Sequence, residues 1–123
     1  MHPFPPAADL QFLIGLEVGQ VRLAPWSTHF DFADGGSIAV EGPFEHLDVD
    51  GRMHLHQSGE EQDVAPVFLR HLLRQEITEL ESEPTRLSLK FSNGAQLRIW
   101  SEPSQYENGQ IRPPGREGVL LVF

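Results

Sequence analysis

Apolar and polar residues alternate with a period of two along most of this chain, which is the signature of half-buried β-strands. In Thr28, Phe30, Phe32 and then Ile38, Val40, every second residue is apolar or β-branched, and Leu87, Leu89, Phe91 with Leu97, Ile99 repeats the pattern. Parity fixes the turn between the arms of each hairpin. A two-residue Asp34-Gly35 loop would send the apolar sets to opposite faces, whereas a three-residue loop, Ala33-Asp34-Gly35 or Ser92-Asn93-Gly94, sets Phe30 opposite Ile38 and Leu89 opposite Leu97. Gly35 and Gly94 then take the left-handed position that closes the loop. The segments Glu17 to Leu23 and Glu76 to Ser82 read as preceding strands. A shorter alternation around Asp50-Gly51 pairs Leu47 with Met53 and puts Phe44, His46 and Asp48 opposite His56, His54 and Arg52 on one face.

These segments recur at an offset of 59 residues. Leu10, Leu13, Ile14, Val18, Val21, Pro25, Phe30, Phe32, Asp34, Gly35, Ile38 and Val40 match Leu69, Leu72, Leu73, Ile77, Leu80, Pro84, Leu89, Phe91, Asn93, Gly94, Leu97 and Ile99. The matched positions are core and turn residues, so what recurs is a folding unit and not a reaction centre. The reading is one domain, residues 1–123: a mobile Pro-rich arm at 1–8, repeat one at about 9–41, a hairpin insertion at 42–62, repeat two at about 63–101, and a C-terminal loop and strand at 102–123. Asp9 is read as the cap of a short helical turn that Gly15 stops. A better-formed helix is expected over 64–74, with Asp63 as its cap and Val64, Phe68, Leu72 beside Ala65, Leu69, Leu73 as its apolar stripe. Residues Glu102 to Gly118 read as a long loop, and Val119 to Phe123 as a strand that must be covered. The expected fold class is α+β: a mainly antiparallel β meander built from two repeats, with one principal helix packed on the sheet.

Composition narrows the function classes. A chain of 123 residues with 39% hydrophobic content can bury a core unaided, and the absence of cysteine removes disulfides, thiolate nucleophiles and cysteine-bound zinc. The N-terminus fits neither a signal peptide nor a membrane span, so a cytoplasmic, non-membrane protein is expected. Net charge is −9, unevenly spread: residues 1–51 hold eight acids against Arg22 alone, −7, and the other eight bases and ten acids give −2. That disfavours nucleic acid and favours a basic protein as partner.

Three histidines, His46, His54 and His56, with Asp48 and Asp50 nearby, form the only cluster with the composition of a site for a divalent transition metal. No G-x-S-x-G elbow or phosphate-binding loop is present. Glu79, Glu81 and Glu83 alternate as the solvent face of one strand. Trp100 falls on the outward parity of its strand, where either the Ser101 to Pro114 loop covers it or it serves as an interface or ligand anchor; with Tyr106 and the acids Asp31, Glu41 and Glu45 it is an interface candidate.

Laid in order, Val21, Phe32-Ala33-Asp34-Gly35, Ile38 and Val40 leading into Glu41-Gly42-Pro43-Phe44, the Asp50-Gly51 turn, Phe91-Ser92-Asn93-Gly94 and Tyr106-Glu107 resemble a family of small bacterial, largely actinobacterial, domains of unknown function with duplicated F-x-D-G hairpins. The resemblance implies an architecture and no catalytic residue. Asn93 departs from the usual Asp, and Glu102-Pro103 stands where the first copy has Pro43-Phe44, so the insertion hairpin is not expected to recur. The leading functional expectation is a non-enzymatic interaction module without cofactor, of the acidic immunity type. The alternatives are a metal-dependent or small-ligand enzyme using the His46, His54 and His56 face, and a self-associating domain whose terminal strand pairs between the chains of a homodimer.

Overall fold

The computed structural model describes residues 2–56, 66–101, 107–115 and 120–123. Alternation becomes strand as expected: β1 (Val18–Ala24), β2 (Ser27–Phe32), β3 (Ser37–Val40), β4 (Phe44–Leu47), β5 (Met53–His56), β6 (Ile77–Glu83), β7 (Arg86–Phe91), β8 (Gln96–Trp100), β9 (Gly109–Arg112) and β10 (Leu121–Val122). They form two five-stranded antiparallel sheets, ordered β1-β2-β3-β9-β10 and β5-β4-β8-β7-β6. The registers are those that parity selects, Phe30 opposite Ile38, Leu89 opposite Leu97 and Leu47 opposite Met53. Gly35 and Gly94 close their loops at φ +99° and +90°. The inward rows of both sheets fill a single core, in which Phe30 of one sheet meets the ring of Phe44 of the other edge to face at 5.8 Å.

The expected principal helix is corrected. Pro66–Leu72 is a 3-10 segment of seven residues, matched by an equal one at Ala7–Leu13. Three residues per turn align positions three apart, which suits the buried pairs Leu69 with Leu72 and Leu10 with Leu13. Asp63 to Ala65, assigned to the cap and first turn of that helix, lie outside the described residues. Asp9 does not cap the first segment, whose N-cap position is Pro6; its own N–H donates to the Pro6 carbonyl at 2.9 Å.

Backbone hydrogen bonds 59 residues apart repeat one another. Gly15 N–H donates to Ile77 O, and Arg74 N–H to Val18 O, both at 2.8 Å; Ala33 donates to Glu17 O and Ser92 to Glu76 O at 2.8 and 2.9 Å. The edge strands β1 and β6 meet at a Glu17–Glu76 bridge, and each carries a bulge at the matching place. One residue is out of character. Arg74 has φ +68° where its counterpart Gly15 has +90°, and among the described residues it is the only non-glycine with positive φ. A side chain in that conformation is strained, so Arg74→Gly is expected to stabilise the fold by about 0.5–1 kcal/mol. The check is a rise in the urea midpoint at constant m-value, and a fall would reject the strain.

Each sheet takes its last two strands from the other half of the chain. The hairpin β4–β5 leaves β3 and pairs with β8, while β9–β10 leaves β8 and pairs with β3. The two passages cross where Glu41 and Gly42 N–H both donate to the Asn108 carbonyl, at 2.8 and 3.0 Å. The hairpin at 42–62 does have a counterpart, β9–β10, and the stretch read as loop from 102 to 118 contains β9. The terminal strand is paired inside the chain, with Phe123 buried, although Val119 lies outside the described residues. The arm expected to be mobile at 1–8 is docked from His2 on: Phe4 is buried, stacks on Phe123 at 4.5 Å and donates its N–H to Pro84 O, while Ser82 and Ser101 hydroxyls donate to Pro5 and His2 carbonyls. An apolar ring and two satisfied carbonyls outweigh the freedom of a proline-rich segment.

Candidate functional site

The β4–β5 hairpin is built inside out. Its core-facing positions after Phe44 are polar, His46, Asp48, His54 and His56, while its solvent-facing positions include Leu47, Val49, Met53 and Leu55, the last three 47, 44 and 44% exposed. Asp50-Gly51 closes the turn with Gly51 at φ +83°. Asp48 organises it: Oδ1 accepts the N–H of Asp50 and of Arg52, each at 2.9 Å, and Oδ2 accepts Nε2–H of His54 at 2.8 Å. These bonds, His54 first, hold the carboxyl down at about 2.

The three histidines share one face of the hairpin, as parity in the sequence predicts, and that face turns inward. His46 lies 5.8 Å from His54 and 6.3 Å from His56 between ring centroids. His54 stacks on Phe68 of the second 3-10 segment at 4.7 Å, and His56 lies parallel to Phe44 at 4.5 Å and 3°. His46 is wholly buried with neither ring nitrogen hydrogen-bonded, and Nε2 of the buried His56 is likewise unpaired. Burial pushes both down to about 4; the neighbouring His54 adds to this for His46, against the pull of Asp48, and His46 does so for His56. Both are therefore neutral near pH 7. Among the described residues, no group of three or more His, Cys, Asp or Glu side chains is placed to hold a metal ion.

The second hairpin supplies an internal control. Gly109 faces Val40 as Phe44 faces Ile99, and Ile111 faces Ile38 as His46 faces Leu97. Continuing across the pair, Leu121 stands in the place of His54, and Phe123 in that of His56. All three counterparts of the histidines are apolar, so this topology has no structural need for imidazole at those places. The buried imidazoles are thus a departure from the local rule that the other half of the chain does not share.

The expected interface residues do not gather into one patch. Asp31 lies on the outer face of β2 in a bidentate pair with Arg22 at 2.6 and 3.1 Å, and Glu45 on the outer face of the other sheet, 3.7 Å from Arg98. Glu41 is exposed just beyond β3; Trp100 is half-buried on the outward side of β8, opposite Arg86; Tyr106 lies outside the described residues. Glu79, Glu81 and Glu83 do form a solvent face. Beside them is a shallow depression of about 280 Å³ bordered by Arg86, Ser88, Lys90 and Arg98, whose three cations pair with Glu83, Glu79 and Glu45 at 3.4, 4.0 and 3.7 Å. The sequence reading did not single out Leu47, Met53 and Leu55, although the parity that set the histidines on one face set these three on the other, and it left Val49 in the Val49-Asp50-Gly51 loop.

No protein-family model, curated protein or solved structure matches the chain. No described helix is long and apolar enough to cross a membrane.

Proposed function

We propose that this chain is a non-enzymatic protein-interaction module, two copies of one folding unit, which docks a basic protein on the outer face of the β4–β5 hairpin. The reading rests on one observation: Leu47, Val49, Met53 and Leu55 turn outward on a hairpin whose inner face is polar. Contiguous exposed apolar side chains beside a charged border are the anatomy of an interface centre and its rim. Here the border is the ion-pair ladder Glu45–Arg98, Lys90–Glu79 and Arg86–Glu83 on the same sheet. A net charge of −9 attracts a basic partner and speeds its encounter, as an immunity-type protein requires. Two copies are supported by the backbone bonds repeated at 59 residues. Duplication leaves one hairpin free to diverge while its counterpart keeps an apolar inner face.

The experiment is capture from the source lysate by the intact chain, by Met53→Lys/Leu55→Lys and by Leu23→Lys, an exposed apolar position on the other sheet. A basic protein retained by wild type and Leu23→Lys, and weakened at least tenfold by the double variant, supports the reading; tenfold is about 1.4 kcal/mol, which a single hot-spot residue supplies. Equal retention by all three chains rejects this face. So does a partner that proves to be a second copy of the chain, seen as a dimer by light scattering.

A further inference from the structure

We infer that the β4–β5 hairpin is an acid-operated latch: neutral His46 and His56 seat its inner face on β8 and the second 3-10 segment, and proton uptake by these imidazoles releases it. The latch stands on the geometry alone; that its release unmakes a docking face rests on the interaction reading above. The seat is apolar where it matters. Across from β4, strand β8 offers Leu97 and Ile99, both fully buried, and His56 lies flat on Phe44 as a second aromatic ring would. A neutral imidazole is tolerated there much as Ile111 and Phe123 are in the other hairpin. An imidazolium is not, because a charge needs a partner when buried.

The neighbouring titratable groups supply none. Asp48 is the carboxylate facing His46, and it is engaged by His54 and by the amides of Asp50 and Arg52. His54 on the hairpin and His71 on the second 3-10 segment repel a proton on His46, and His46 and His54 do the same at His56. Both imidazoles are held down at about 4, against 6.5 when free. The open hairpin therefore takes up protons first. Closure has its full advantage above about pH 6.5, loses it as pH falls toward 4, and regains it as pH rises. At pH 5 each imidazole favours opening by roughly thirtyfold, and the two together by on the order of a thousandfold.

The test is hydrogen exchange of the full chain, with protection corrected for the pH dependence of intrinsic exchange, at Glu45, Leu47, His54 and His56, whose amides face β8 or β4, and at the β9–β10 amides. Between pH 7.5 and 5 the hairpin is expected to lose protection by several hundredfold more than β9–β10. In His46→Ile/His56→Phe, which installs the residues of the other hairpin, the loss should vanish. Equal loss in both hairpins, or the same loss in that variant, overturns the latch. A second measurement needs no variant: proton titration of wild-type histidine rings by NMR. His46 and His56 titrating near 6.5 with the hairpin still protected would also overturn it, as would a rise in hairpin protection on adding zinc(II) at pH 7.5, which would make the imidazoles ligands. If exchange opens as expected while Met53→Lys/Leu55→Lys captures the partner as wild type does, the latch stands and the docking reading falls.

Discussion

Replacing Gly109 by alanine is expected to destabilise the protein by about 3 kcal/mol, a fall of roughly 10–15 °C in melting temperature for a chain of this size. A Cβ at this position would overlap both the carbonyl oxygen of Ala39 and the ring of Phe123. Neither can yield cheaply. Ala39 belongs to β3, which pairs with β9 through this stretch, and Phe123 is fixed from both sides: its N–H donates to Gly109 O at 3.1 Å, its carbonyl accepts from Asn108 and Gly109 N–H at 2.6 and 3.2 Å, and its ring stacks on Phe4. The missing side chain is thus the space that the last residue of the chain occupies. Phe44, in the corresponding place of the other sheet, keeps its own ring and stacks on His56. Phe123→Leu in the alanine background should recover part of the loss, because it relieves the ring but not the backbone overlap. A loss below about 1 kcal/mol for Gly109→Ala, measured by urea unfolding, would mean that β3 and β9 are not held as closely as described.

Truncating Phe30 to alanine is expected to cost about 4 kcal/mol. The ring is 1% exposed at the centre of β2 and touches Phe44 of the opposite sheet. Its removal opens a cavity between two sheets whose backbones are tied by separate ladders and cannot collapse freely into the gap. Phe30→Leu keeps most of the volume and should cost about 1.5 kcal/mol. The decisive measurement is a double-mutant cycle with Phe44→Leu, in which rings in contact should couple by at least about 0.5 kcal/mol. Strict additivity would show that the sheets do not meet at this pair.

Much of the fold is legible in the amino-acid sequence alone. Parity along Thr28 to Val40 and Leu87 to Ile99 specified strands, turns and register together, because a slip of one residue would turn Phe30 or Leu89 outward. The same reasoning aligned His46 with His54 and Phe44 with His56. Helix type was less legible: apolar residues at 69, 72 and 73 suit an α-helix as well as a 3-10 segment, and the chain turns away just after Leu72 at left-handed Arg74. The docked N-terminal arm left no local signal, since the site that receives Phe4 is made by Phe123 at the far end of the chain.

The candidate site divides along the same line. Sequence alone determined which residues of the β4–β5 hairpin share a face, Phe44, His46, Asp48, His54 and His56 on one and Leu47, Met53 and Leu55 on the other. Local alternation carries that information and needs no partner strand. Which face turns inward was decided only by the tertiary structure. The hairpin pairs with β8, more than forty residues away, in a register that lines Phe44 up with Ile99 and His46 with Leu97. That register buries His46 and His56 and exposes Met53 and Leu55, against the preference of the hairpin's own side chains. The cost falls on one small element while the benefit of the paired sheet is spread over the whole core, and so the fold can carry a hairpin that its own sequence would have turned the other way.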